Sequence, residues 1–227
     1  VCSGQAIPTY GDKRRMRIGL LGGSFNPAHR GHLALAHIAL RSLALDQVWL
    51  MVSPGNPLKA GRDMAAFEQR MESVRHLVDD PRLVVTDIEP RLGTRYTVDT
   101  VRKLHRRFPL AHFVWLTGAD GLVTLSRWKG WHQLVKAIPV AVMPRPGHNY
   151  AALHSAAGRY RDRWRIYSRW ASLLYEEKPP VWGFMSGTQD ELSSKSIRQR
   201  GHFRVVKAIQ KALGKLFLAI GRASWRD

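Results

Sequence analysis

Short apolar runs alternate with segments of helical period along most of this chain, and that order leaves a parallel α/β sheet as the main way to bury them. Arg17-Ile18-Gly19-Leu20-Leu21 reads as a buried strand ended by Gly22-Gly23. From Gly31 to Ser42 the apolar residues Leu33, Leu35, Ala36, Ile38 and Ala39 recur at helical spacing, with Leu43 just beyond. Val48–Val52 is the next strand, closed by Ser53-Pro54-Gly55. A helix over 64–78 follows, with Phe67, Met71, Val74 and Val78 on one stripe. Leu83–Val85 is a third strand, Thr97–Arg107 a helix, His112–Leu116 a fourth strand and Val140–Met143 a fifth. A sixth is expected over Val181–Met185. The polar stretch from Tyr150 to Leu174 is expected to be helical, as is Ser194–Ile220 with a break near Gly201. The expectation is an α/β fold: a parallel sheet with helices on both faces and a C-terminal helical segment. Ligands of such sheets bind outside the carboxyl ends of the strands.

Composition narrows the functional classes. Apolar residues make up 44% of the 227, enough for a packed core. No run of about 18 uncharged apolar residues occurs, so no segment reads as a membrane span. The single cysteine, Cys2, has no partner for an internal disulfide, and no Cys/His cluster has zinc spacing. A cytoplasmic, reducing setting is expected. Residues 1–15 lack periodicity and read as a loose extension ahead of a domain over 16–200, with 201–227 as a helix packing on it. The chain carries 36 Lys and Arg against 17 Asp and Glu, a formal net charge of +19. Such a balance suggests a nucleic-acid partner, but it is spread: residues 1–154 carry +10 and residues 155–227 carry +9. Arg159, Arg161, Arg163, Arg165 and Arg169 alternate with Tyr160, Trp164, Tyr167 and Trp170. They read as a solvated helix face with inward aromatics; the rival reading is a stacking surface for a single strand.

The loop after the first strand carries the most specific signal: Gly22-Gly23-Ser24-Phe25-Asn26-Pro27-Ala28-His29-Arg30-Gly31-His32. It lacks the lysine of a Walker loop and the glycine spacing of a dinucleotide fingerprint. Two glycines allow close backbone approach, and a His-x-Gly-His turn opens a helix whose N-terminus favours anions. Two imidazoles there can donate to phosphate oxygens. The string resembles the Gly-x-Phe-[Asp/Asn]-Pro-x-His-x-Gly-His signature of the nucleotidylyltransferase superfamily, and the chain is similar to the bacterial nicotinate-nucleotide adenylyltransferase family within it. Further segments match in order. Ser53-Pro54-Gly55-Asn56-Pro57-Leu58-Lys59 resembles the family's Pro-x-x-x-Pro-x-Lys loop. Arg95-Tyr96-Thr97-Val98-Asp99-Thr100 resembles Ser-Tyr-Thr-x-x-Thr with Arg95 for Ser. Gly118-Ala119-Asp120 with Trp128, Arg145-Pro146-Gly147, and Leu192-Ser193-Ser194-Lys195-Ser196-Ile197-Arg198 complete the set.

The resemblance implies a Rossmann-like sheet and an adenylyl transfer from ATP to nicotinate mononucleotide, releasing pyrophosphate, a step in NAD biosynthesis. It implies catalytic roles for His29, His32 and Arg198. ATP would be bound by Gly22, Gly23, Ser24, Phe25, Gly31, Arg145, Ser193, Ser194 and Ile197. The acceptor would meet Asn56, Lys59, Thr97, Asp120 and Trp128. Mg²⁺ would be held mainly by the ATP phosphates, since no carboxylate cage is evident. Bland readings stand beside several of these: Trp128 as core packing, Lys59 as a solvated loop lysine, Asp120 as a helix cap, Arg145 as part of a surface turn. Lys195 stands where the family has Thr, and Ser193-Ser194-Lys195-Ser196 echoes the Lys-Met-Ser-Lys-Ser loop of class I aminoacyl-tRNA synthetases. The chain is short for a synthetase and lacks an evident anticodon-binding domain. Other acceptors (nicotinamide mononucleotide, phosphopantetheine, flavin mononucleotide) are rivals within the superfamily. A non-catalytic nucleic-acid-binding protein on the same fold is a rival of another class. The intact histidines oppose it, so no nucleic-acid partner is expected despite the charge. The stripe Val205, Val206, Ile209, Leu213, Leu216, Phe217 and Ile220 is read as packing on its own domain or on a partner subunit, which leaves a homo-oligomer open, rather than on a membrane.

Overall fold

The computed structural model describes residues 15–55, 64–160 and 165–186, apart from the Trp170 side chain. Seven parallel strands form one sheet in the order β3-β2-β1-β4-β5-β7-β6. They are β1 (Arg17–Gly23), β2 (Gln47–Val52), β3 (Leu83–Thr86), β4 (His112–Gly118), β5 (Val140–Met143), β6 (Arg165–Ile166) and β7 (Trp182–Phe184). The helices are α1 (Arg30–Ser42), α2 (Phe67–Leu77), α3 (Ile88–Arg91), α4 (Thr97–Arg107), α5 (Ala119–Leu125), α6 (Trp131–Ala137), α7 (Asn149–Leu153) and α8 (Ala156–Tyr160). The expected strands all form within a residue or two of their expected bounds, with β7 as the expected sixth, and the expected Rossmann-like α/β sheet is present. Among the described residues no helix is long and apolar enough to cross a membrane.

Strand periodicity builds the two-faced core. Ile18 and Leu20 of β1, Trp49 and Met51 of β2, and Phe113 and Trp115 of β4 point to one face, where Val98, Val101 and Leu104 of α4 and Leu122 of α5 cover them. Leu21, Leu50, Val52, Val114 and Leu116 point to the other face, against Leu35, Ala36 and Ala39 of α1 and Met71 and Val74 of α2. Burial on both faces explains why these strands read as continuous apolar runs.

One expectation fails. Tyr150–Leu174 is not a single helix: α7 and α8 are one turn each, β6 adds a short edge strand, and Ser168–Leu173 is a 3₁₀ segment. Nor do Tyr160 and Tyr167 turn inward, being 39% and 65% exposed, while Trp164 and the Trp170 side chain lie outside the described residues. The stretch has too few apolar residues at helical spacing to bury a long helix, so the chain follows the sheet edge. The expected extension over 1–15, apart from Arg15, the helix over 194–220 and the C-terminal stripe lie outside the described residues.

The chain winds from β1 outward to β3, then returns to the other side of β1 as β4. The loops after β1 and β4 therefore diverge from adjacent strands and open a crevice at the carboxyl edge of the sheet.

Candidate active site

The crevice is floored by the turn that joins β1 to α1. His29 precedes the first helical residue in extended backbone (φ −153°, ψ 166°), and no acidic side chain sits in the first turn of α1 to offset its dipole. The His29 N–H donates to Nδ1 of His32 at 3.3 Å. A neutral imidazole that accepts on Nδ1 carries its proton on Nε2, so this bond selects the His32 tautomer. The two rings lie 3.8 Å apart between centroids, and Phe25 packs on His32 at 4.8 Å. His29 and Phe25 are buried, while His32 is half-buried. Phe25 takes a left-handed backbone (φ 45°), an unusual state for a bulky residue that its surroundings must hold. The sequence-predicted Gly22, Gly23, Ser24, Phe25, His29, Gly31 and His32 thus form one continuous turn.

Trp115 links this turn to Trp128. A Cβ on Gly22 would sit 2.6 Å from Trp115 Cη2, so only glycine lets the indole slide beneath the strand end. Trp128, half-buried, meets Trp115 edge-on with centroids 6.0 Å apart. The start of α4 adjoins the same segment. Lys129 Nζ lies over the Tyr96 ring at 4.4 Å, and a Cβ on Gly130 would be 3.0 Å from Val98. Thr97, the first residue of α4, and Trp128 are therefore on neighbouring segments.

Asp120 and Arg145 meet each other. Asp120 lies in the first turn of α5 after β4, Arg145 just beyond β5, and Asp120 Oδ1 is 3.5 Å from Arg145 Nε. Their assignments to different nucleotides converge on one corner. Asn56, Lys59, Ser193, Ser194, Ile197 and Arg198 lie outside the described residues. Among the described residues no three His, Cys, Asp or Glu side chains converge as a metal cage would require.

Two buried charged residues went unnoticed in the sequence. Arg70 of α2 is 2% exposed and reaches backbone carbonyls of three segments. Its signal was available: Arg70 falls between Phe67 and Val74 on the buried stripe of an otherwise amphipathic helix. Glu89 of α3 is 6% exposed beside Thr94 and Thr100, whose hydroxyls are 2.8 Å apart. Burial raises its carboxyl from 4.5 to about 7, and a bond with the Thr100 hydroxyl offsets part of that rise. No periodicity marks Glu89, because α3 is only a single turn.

A family model described as cytidylyltransferase-like matches residues 20–200. A probable nicotinate-nucleotide adenylyltransferase of Gluconobacter oxydans is 54% identical over 189 residues, covering 83% of this chain and 97% of that protein. A protein of the same description from Gluconacetobacter diazotrophicus is 53% identical over 200 residues, covering 86% and 93%. Among solved structures, the Plasmodium falciparum nicotinic acid mononucleotide adenylyltransferase complexed with NaAD aligns with a TM-score of 0.61 at 15% identity, over 81% of this chain and 83% of that one. At that identity the likeness bears on the fold alone.

Proposed function

The chain belongs to the nicotinate-nucleotide adenylyltransferase family of cytidylyltransferase-like proteins, and on that premise we propose that it transfers AMP from ATP to nicotinate mononucleotide, giving deamido-NAD and pyrophosphate. The observation that carries the reading is the paired His29 and His32 at the α1 N-terminus, in the crevice between β1 and β4.

The acceptor's 5′-phosphate oxygen attacks the α-phosphorus of ATP. A new P–O bond forms there as the bond to the β-phosphate oxygen breaks, and pyrophosphate leaves with the electron pair. A phosphate monoester has its second pKa near ~6, so the nucleophile is already an anion and needs no general base. The work left to the protein is to align two anions and offset their repulsion. His32 would donate from Nε2 to the transferring phosphate, with His29 and the Gly23–Phe25 backbone holding phosphate oxygens. Ser193, Ser194 and Arg198 would bind the β- and γ-phosphates, with Ile197 on the same segment. Mg²⁺, when bound, neutralises phosphate charge; with no side-chain cage among the described residues, its donors would be phosphate oxygens and water.

On the acceptor side, Trp128 would stack on the pyridine ring near Thr97 and Asn56, Lys59 would meet the acceptor phosphate, and Asp120 a ribose hydroxyl, with Arg145 flanking the adenosine. Base–aromatic stacking contributes about 1–3 kcal/mol. Trp128→Ala is therefore expected to raise the KM for nicotinate mononucleotide about tenfold while moving the KM for ATP less than twofold. Initial rates with each substrate varied in turn check this. Equal effects on both would remove Trp128 from the acceptor side.

The test of the activity is pyrophosphate release from ATP and Mg²⁺ with nicotinate mononucleotide, nicotinamide mononucleotide, phosphopantetheine or flavin mononucleotide offered separately. Release is expected with nicotinate mononucleotide above the others. No release with either pyridine nucleotide would overturn the proposal, and release with the amide alone would reassign the acceptor.

A further inference from the structure

Arg70 places a buried cation against the loops that follow β1 and β2. Its Nη1 donates to the Ser24 carbonyl at 2.7 Å and the Ser53 carbonyl at 2.8 Å. Nη2 donates to the Pro54 carbonyl at 3.2 Å and Nε to the Ala65 carbonyl at 3.0 Å. One guanidinium thus ties the loop after β1, the loop after β2 and the lead into α2. The same seam is closed by Ala65 N–H donating to Asn26 Oδ1 at 3.2 Å and Ala28 N–H to Ser73 Oγ at 3.4 Å.

All four hydrogen-bond partners are neutral carbonyls, the guanidinium lies over the Phe67 ring at 5.4 Å, and among the described residues no carboxylate forms an ion pair with it, the exposed Glu68 favouring its charge only from a distance. Burying a cation is costly unless something answers its charge, and neutral donors can join loops at lower cost. Anionic ligands bound on the two loops would answer it.

The direction of the Ser24 bond supplies the second half of the argument. In a trans peptide the C=O and the following N–H point in opposite directions. Drawing the Ser24 carbonyl onto Arg70 turns the Phe25 N–H away from α2. No acceptor among the described residues takes that N–H, although Phe25 is almost fully buried. The left-handed backbone of Phe25 is the conformation this anchoring holds in place.

We propose that Arg70 is a positioning residue that clamps the loops after β1 and β2 by their carbonyls, turns the Phe25 N–H toward a phosphate of the bound nucleotide, and supplies the buried positive charge that favours an anion there. The proposal rests on the reading of this crevice as a nucleotide-phosphate site; it adds the residue that sets it.

Arg70→Lys keeps the charge but cannot fork to four carbonyls, and Arg70→Gln removes the charge. Binding of pyrophosphate, ATP and adenosine to the wild-type protein and both variants is measured by calorimetry, with thermal midpoints recorded alongside. The expected result is about a tenfold loss of affinity for pyrophosphate and ATP in each variant, the size of one hydrogen bond to a charged group, with adenosine affinity unchanged. Unchanged pyrophosphate affinity in both variants, or an equal loss for adenosine, would overturn the positioning role, since a merely structural defect does not discriminate by charge. If neither variant folds, the Phe25 amide resonance of the ¹⁵N-labelled wild-type protein is followed as pyrophosphate is added. A downfield proton shift at saturation is expected, and none would overturn the proposal. These measurements need no turnover. Failure of pyrophosphate release with every acceptor would thus sink the activity while leaving the Arg70 result to stand or fall separately.

Discussion

Turnover is expected to fall at least ~10²-fold when His32 is replaced by alanine, the loss typical of removing one transition-state donor. The expectation comes from how the ring is held. The His29 N–H occupies Nδ1, which leaves the Nε2 proton as the donor, and Phe25 and His29 pack on the imidazole at 4.8 Å and 3.8 Å. A donor fixed before the substrate arrives needs no reorganisation as negative charge grows on the transferring phosphate. Its removal should therefore depress kcat more than it raises the KM for ATP. His32 is half-buried at the helix start rather than in the core, so the thermal midpoint should move little. Saturating rates of pyrophosphate release for the wild type and His32→Ala, with a melting curve for each, make the comparison. Near-normal kcat in a folded variant would take the transition-state role away from His32.

Glu89→Gln is expected to stabilise the protein above neutral pH, by an amount that depends on pH in a defined direction. The Glu89 carboxyl titrates near 4.5 when exposed and at about 7 when folded, because burial disfavours the anion. No cation among the described residues pairs with it; its neighbours Asp87 and Arg91 pair with each other at 2.7 Å. A raised carboxyl pKa means the native state binds the proton more tightly than the unfolded state. Stability from this group is therefore whole below about pH 4.5, declines as pH rises to about 7, and is constant beyond. A shift of this size corresponds to about 3 kcal/mol. Glutamine retains a polar group for Thr100 and does not ionise. The stability difference, variant minus wild type, should grow between pH 4.5 and 7 by up to that amount and then level off. Urea unfolding at half-unit pH intervals measures it, and a difference that stays flat from pH 4.5 to 8 would mean that Glu89 does not titrate as its burial requires.

These predictions differ in how far the sequence alone could have led to them. His32 was legible because its chemistry is local: two histidines, a glycine between them and a helix start all lie within eleven residues. The strands were legible for a related reason. In a parallel sheet buried on both faces, each strand must be apolar along its length, as Val48–Val52 is. Glu89 and Arg70 needed the fold. A carboxylate or guanidinium in the sequence is ordinarily a solvated group, and only the packing of α3 against α4, or of α2 beneath two loops, makes either one buried. The Tyr150–Leu174 stretch is illegible for a similar reason, since its arginines and aromatics fit an exposed helix as well as a sheet edge until the edge strand is seen.

The sequence by itself determined the α/β order, the two-faced strands, the His-x-Gly-His turn and the family, because each depends on neighbouring residues or on a short period. The tertiary structure decided which loops share the crevice, that Trp115 slides under Gly22 to reach Trp128, that Asp120 meets Arg145, and that one buried guanidinium spans three segments. Apart from Arg70 with Ala65, those are contacts between residues 13 to 93 positions apart. Their existence depends on strand order and on helices crossing the sheet, and periodicity within a segment carries no record of either.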